Sequence, residues 1–145
     1  NAFDVAPDFV LTRPNGNSIS DLLSGLVSSI GKLLADNKFE IVLVHGDTSS
    51  TLAGALAAFY NRVPVIAHVE AGLRSGNLAH PFPEESNRLL VAKTANLHFA
   101  PTEKSVLALL CENVPEKTVF MTGNTAIDAQ YLLLEQGKVK RCQKK

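Results

Sequence analysis

The chain has 145 residues, of which 46% are hydrophobic, enough for one domain with a packed core and too few for two. Lys and Arg total 14 and Asp and Glu total 14, so no net field draws the molecule to nucleic acid or to an anionic membrane, and the expected partner is a small molecule or another protein. No apolar stretch is long enough to span a bilayer, and Asn1-Ala2-Phe3-Asp4 has neither the basic nor the apolar region of a secretory leader.

Taken in chain order, Phe9-Val10-Leu11-Thr12 reads as a short strand and Pro14-Asn15-Gly16-Asn17 as a turn, because Pro and Gly preset the dihedrals a turn needs. Ser20 is the expected N-cap of a first helix, with Asp21 in its first turn and Leu22, Leu23, Leu26, Ile30, Leu33 and Leu34 at helical spacing. Ile41-Val42-Leu43-Val44 is a continuous apolar run, which fits a strand buried on both faces of a parallel sheet. The alternation then repeats: a helix over 49–60, a strand over 63–69, a helix over 84–94, a strand over 97–100, a helix opened by Thr102 and Glu103 and running to 112, a strand over 118–121 and a helix over 125–135. Strand and helix in alternation imply an α/β fold with a doubly wound parallel sheet, here expected over residues 1–136. The remaining stretch, 137–145, is a basic tail without periodicity and is expected to be solvated.

In such a sheet, ligands bind in the crevice beyond the carboxyl ends of the strands. Three acidic residues fall where a strand or loop run meets the next helix: Asp47 in His45-Gly46-Asp47-Thr48, Glu70 in His68-Val69-Glu70-Ala71-Gly72, and Glu84 in Pro81-Phe82-Pro83-Glu84-Glu85. Carboxylates gathered at one edge suggest proton chemistry. The run Val44 to Thr51 ends a strand in a Gly turn and follows it with side-chain oxygens at a helix start, a seat for an anion; Asp47 is either part of that seat or a helix cap. Glu70 directly follows a β-branched run, so its charge needs a function or a partner, with Arg74 as the candidate partner. Glu84 and Glu85 suit the positive end of the following helix, and Asn87 and Arg88 add an amide and a cation within a turn of Glu84.

His45, His68 and His98 lie in or at the ends of apolar strands, the usual setting of a hydrogen-bonded core histidine. No metal site is expected, since neither His-x-x-x-His nor Cys-x-x-Cys occurs, and no Gly-x-Ser-x-Gly elbow supports a serine nucleophile. Cys111 and Cys142 have no metal-ligand spacing and read as free thiols of a reducing cytoplasm.

Five motifs in order, His45-Gly46-Asp47-Thr48, His68-Val69-Glu70-Ala71-Gly72-Leu73-Arg74, Pro83-Glu84-Glu85-x-Asn87-Arg88, Phe99-Ala100-Pro101-Thr102 and Thr122-Gly123-Asn124-Thr125-x-Ile127-Asp128, closely resemble the non-hydrolysing UDP-N-acetylglucosamine 2-epimerases. The resemblance spans about Phe9 to Ala129. It implies the Rossmann-like N-terminal half of a GT-B-like enzyme, without the family's opening strand and its Gly-Thr-Arg-Pro-Glu motif, and without the C-terminal domain. The absent initiating Met also suggests a piece of something larger. A sheet lacking its opening strand is expected to leave one strand edge unpaired and apolar surface uncovered, favouring self-association.

The resemblance further implies interconversion of UDP-GlcNAc and UDP-ManNAc by elimination and re-addition of UDP, in the cytoplasm, by a homodimer that needs no cofactor. Asp47, Glu70 and Glu84 match the catalytic carboxylates, without individual acid and base roles. His45, Arg74, Asn87 and Arg88 match substrate-binding positions. A hydrolysing relative and a non-catalytic, oligomerising remnant are the alternatives.

Overall fold

The computed structural model describes residues 5–137; the basic tail from Lys138 and Cys142 lie outside the described residues. A four-stranded parallel sheet forms the centre, built from β1 (Ile41–His45), β2 (Val65–Val69), β3 (Leu97–Ala100) and β4 (Val119–Met121), in that order across the sheet. The helices are α1 (Ile19–Asp36), α2 (Ser49–Tyr60), α3 (Glu84–Thr94), α4 (Glu103–Cys111) and α5 (Thr125–Glu135). Parallel α/β alternation is therefore as expected from the sequence.

Except for α3, which follows Pro83, the α-helices begin where a side chain satisfies one of their first N–H groups. Thr48 caps α2 and Thr102 caps α4, each hydroxyl accepting from the N–H three residues on. The first helix departs from expectation. Its cap is Ser18, not Ser20: Ser18 Oγ accepts from Asp21 N at 3.0 Å while Asp21 Oδ2 accepts from Ser18 N at 3.2 Å. This reciprocal box needs an acidic side chain three residues after the cap, a spacing that Ser18 and Asp21 meet. The run Phe9 to Thr12 is not a strand, since it pairs with neither edge of the sheet. Pro14 lies flush against Gly25 and carries the chain onto α1 instead.

The strand expected from Val63 starts at Val65. Residues 61–63 instead close off the C-terminal end of α2: Arg62 N donates to Phe59 O and Val63 N to Ala58 O, with Arg62 left-handed at φ 55°. Pro64 has no N–H to add to a ladder. Asn96 then fixes the first rungs of β2 and β3, accepting from Ile66 N at 2.8 Å and donating to Pro64 O at 3.0 Å.

Residues Val44 and Ile66 of the sheet pack with Leu52, Ala55 and Ala58 of α2 and Val91 of α3; Ala100 packs with Ala92 of α3 and Leu109 of α4. Strand register puts these sheet residues on one face, so the three crossover helices share that face. Small residues let α2 sit close, and a side chain at Gly54 would press on Val44. The other face carries Ile41 and Leu43, 57% and 62% exposed, with Phe120. The apolar run in β1 is thus buried on one face only among the described residues, because β1 is an edge strand and α2 covers one side of it.

Two histidines lie side by side on the helix-covered face, His68 in β2 opposite His98 in β3. His68 Nε2 donates to Gly46 O at 2.8 Å. His98 is 1% exposed, and burial, aided by neighbouring His68, pushes its pKa from 6.5 down to about 4. The folded state therefore binds fewer protons than the unfolded state between these values. The stability from keeping His98 neutral is complete above about pH 6.5 and is lost as the pH falls towards 4, at most roughly 3 kcal/mol. Urea unfolding from pH 7 to 4 should show a shallower loss of stability for His98→Asn than for the parent. Parallel curves would remove His98 as the cause.

Candidate functional site

Parallel pairing delivers the ends of all four strands to one edge, and the loops that follow carry the expected carboxylates. The ladder continues into those loops. Gly46 N donates to Val69 O, Ala71 N to Phe99 O and Thr122 N to Ala100 O. Asp47, Glu70 and Asn124 are thereby each attached to backbone held by a neighbouring strand.

Asp47 is not the cap of α2, a position taken by Thr48. Its Oδ2 accepts from Arg88 Nε at 3.0 Å and faces Arg88 Nη2 at 2.8 Å, while its carbonyl accepts from Asn87 Nδ2 at 2.8 Å. The loop after β1 is thus joined to the first two turns of α3, and its Oδ1 has no protein partner among the described residues. The structure brings Asp47, Asn87 and Arg88 together as one cluster.

The other end of the Arg88 guanidinium meets Glu85, with Nη1 donating to Oε2 at 3.0 Å. Glu85 is 2% exposed, and its Oε1 also accepts from Ser75 N and Gly76 N, both at 2.9 Å. Burial pushes its carboxyl up, but the two N–H groups and the guanidinium outweigh this and hold it below the usual carboxylate range. Sequence reasoning noticed Glu85 only as a favourable charge at a helix start. The usable signal was its spacing of three from Arg88. Glu84, one residue earlier, is half-buried, and its side chain makes no hydrogen bond or ion pair with another described residue.

Glu70 belongs to a second cluster. It leaves β2 in a left-handed conformation, φ 68°, which non-glycine residues seldom adopt outside sites where the surroundings enforce it. Its Oε2 lies 3.5 Å from His45 Nε2, and its Oε1 accepts from Asn124 Nδ2 at 3.2 Å. His45 Nε2 is also 3.4 Å from Thr125 Oγ1. His45 is not a core histidine: its side chain is 58% exposed at the strand end. Asn124 and Thr125, quoted in a motif but given no role from sequence, join this cluster.

Arg74 is not the partner of Glu70. Its Nε and Nη2 donate to the two carboxylate oxygens of Glu112 at 2.6 and 2.8 Å, and Nη1 donates to Leu73 O at 2.7 Å. The pair ties the loop after β2 to the end of α4, and the Arg74 hydrogen bonds lower the pKa of Glu112. Among the described residues Arg74 makes no hydrogen bond or ion pair with Asp47, Glu70 or Glu85, although it and Glu85 line one concavity.

Asp47 and Glu70 are part-exposed and lie in the loops that leave adjacent strands, so both carboxylates are accessible to a bound molecule. Among the described residues the N–H groups of Ser49 and Ser50, at the start of α2, have no backbone acceptor and suit an anionic group beside Asp47. Among the described residues, no group of three His, Cys, Asp or Glu is placed to hold a metal ion. A concavity of about 680 Å³ lined by Phe59, Tyr60, Arg62 and Asn96 lies at the opposite, N-terminal end of the strands and contains none of the expected site residues.

The sequence model of the family described as UDP-N-acetylglucosamine 2-epimerase matches residues 1–145. The chain is 49% identical over 128 residues to UDP-N-acetylglucosamine 2-epimerase of Salmonella typhimurium, covering 88% of this chain and 34% of that protein. It is 47% identical over 135 residues to the Escherichia coli K12 enzyme of the same name, covering 92% of this chain and 36% of that protein. The crystal structure of UDP-GlcNAc 2-epimerase from Neisseria meningitidis bound to UDP-GlcNAc superposes with a TM-score of 0.90 at 43% identity, covering 95% of this chain and 38% of that one. The chain thus spans little more than a third of the length of these relatives.

Because Glu85 is closed off from water, removing its cation should cost more than breaking a surface ion pair. Arg88→Met is expected to destabilise the protein by about 3 kcal/mol in urea unfolding. Glu85→Gln in the same chain should recover part of that loss, since no buried charge is then left unpaired. A single variant within about 1 kcal/mol of the parent would show the network to be worth no more than an exposed pair.

Proposed function

The chain belongs to the UDP-N-acetylglucosamine 2-epimerase family, and on that premise we propose that it serves the inversion of C2 in UDP-N-acetylglucosamine to give UDP-N-acetylmannosamine. The observation that carries this reading is the placement of Asp47 and Glu70 at the ends of adjacent parallel strands, with Glu84 at the start of the helix whose next turn binds Asp47.

The reaction proceeds by elimination and re-addition. A carboxylate takes the C2 proton, the electron pair forms a C1=C2 bond, and the bond from C1 to the diphosphate oxygen breaks, giving a 2-acetamidoglucal and UDP. Protonation of C2 from the other face and return of UDP to C1 complete the inversion. Nothing is oxidised or reduced overall, so positioned acid and base groups suffice and no cofactor is required.

Asp47, Glu70 and Glu84 are the groups proposed to move these protons. Asp47 engages the Arg88 guanidinium through Oδ2 alone, which leaves Oδ1 to face the substrate as a proton acceptor. His45 neighbours Glu70 and can share a proton with it or with substrate. Asn87 and Arg88 act on the substrate chiefly through Asp47, and the N-terminal end of α2 favours a diphosphate oxygen. Arg74 contributes through the loop it anchors to Glu112.

Self-association through exposed Ile41, Leu43 and Phe120 belongs to the same proposal, as does work in a reducing cytoplasm, supported by the free, exposed thiol of Cys111. Among the described residues no helix is long and apolar enough to cross a membrane.

Proton NMR of UDP-GlcNAc in D₂O tests the reaction. The protein should replace the C2 proton with deuterium and produce UDP-ManNAc signals, and Asp47→Asn and Glu70→Gln should each slow exchange by about 100-fold with the fold retained. Undiminished exchange in both variants would sink the site assignment. Free ManNAc accumulating with UDP would replace epimerisation with hydrolysis.

A further inference from the structure

We propose that Asn124 is a positioning residue for Glu70, an inference that rests on the proposed function for its catalytic meaning. Asn124 is the N-cap of α5, and its Oδ1 accepts from Ala126 N at 2.8 Å. Its Nδ2 donates to Glu70 Oε1 at 3.2 Å. The two ends of one amide thus have separate partners. Since Oδ1 alone can accept the Ala126 N–H, the cap fixes the amide orientation and presents the donor to Glu70. The link spans 54 residues of sequence and reaches past β3, from the loop after β4 to the loop after β2.

Capping does not by itself require asparagine. Asp and Ser cap a helix comparably well, but neither offers an N–H₂ to a carboxylate. The second partner gives the amide its role. Glu70 is part-exposed, is held in a left-handed backbone conformation, and has no arginine or lysine partner among the described residues. Without Asn124, its Oε1 would have no donor among the described residues, and its side chain would be free to leave the geometry that a reacting C2 requires. With Oε1 held, Oε2 remains on the His45 side. Thr125 supports the same corner, its hydroxyl lying 3.4 Å from His45 Nε2.

Asn124→Asp separates capping from positioning, because it keeps the cap oxygen and replaces the donor with an anion facing Glu70. Asn124→Ser keeps a capping hydroxyl and adds no charge. Thermal unfolding should place both variants close to the parent, whereas kcat for UDP-GlcNAc should fall by about tenfold or more with KM little changed, the larger loss in Asn124→Asp. A role confined to the helix cap predicts parental kcat in Asn124→Asp, and that result overturns the proposal. The contact is read independently by ¹⁵N–¹H spectra: the Asn124 side-chain amide signals should move in Glu70→Ala, and unmoved signals also overturn it. If the parent does not turn over UDP-GlcNAc, the proposed function fails, while these spectra still decide whether Asn124 holds Glu70.

Discussion

The parallel hydrogen-bonded ladder is the constraint from which the site follows, and it does not stop at the ends of the strands. The Gly46, Ala71 and Thr122 N–H groups each donate to a carbonyl on the adjoining strand. Loops leaving a sheet are ordinarily the least constrained part of an α/β fold. Here the backbone beside Asp47, Glu70 and Asn124 is fixed by the bonds that fix the strands, so their side chains start from defined places. Each then needs only one or two further contacts to settle its rotamer.

Those contacts are of two physical kinds. Around Asp47 they are charge-assisted and reach inward, since Arg88 shares its guanidinium with a carboxylate that has left water. Burying Glu85 would be unfavourable alone, but three donors close around it and offset the lost hydration. The result is a rigid link from the 75–76 loop through α3 to Asp47. Around Glu70 the partners are an imidazole and a neutral amide, in a more exposed corner. The two carboxylates, in loops that leave adjacent strands, are therefore held by different chemistry, one by a guanidinium and the other by a neutral amide.

The sequence displayed much of this fold because its signals are local. The limits of α2 and α3, the four residues of β3 and the span of α5 follow from Thr48, Pro83, Asn96 and the start after Gly123-Asn124, all within a few residues of the boundary they set. Local signals failed where a partner decided the outcome. Phe9 to Thr12 has strand-forming residues but pairs with neither edge of the sheet, and the apolar run of β1 reveals nothing about which of its faces a helix will cover. The candidate site divides in the same way. Its acidic residues were visible at strand ends, but the choice of Glu112 by Arg74 and of Asp47 by Arg88 spans 38 and 41 residues and has no periodicity to betray it. Asn124 was hidden for another reason: an asparagine before a helix is already explained by capping, so its second hydrogen bond leaves no mark in the sequence.

His68 connects the apolar core with this edge. Gly46 O can only accept, so His68 must carry its proton on Nε2, and burial favours the neutral ring with Nδ1 left as a lone pair. Among the described residues, that Nδ1 has no hydrogen-bond partner, and the same holds for His98 Nδ1. His68 holds the carbonyl of Gly46, a left-handed residue at φ 77° between His45 and Asp47, a conformation that favours glycine. A residue that reads as core packing in the sequence therefore fixes the turn from which both clusters diverge. The division between core and site is, at this turn, one of chemistry and not of place.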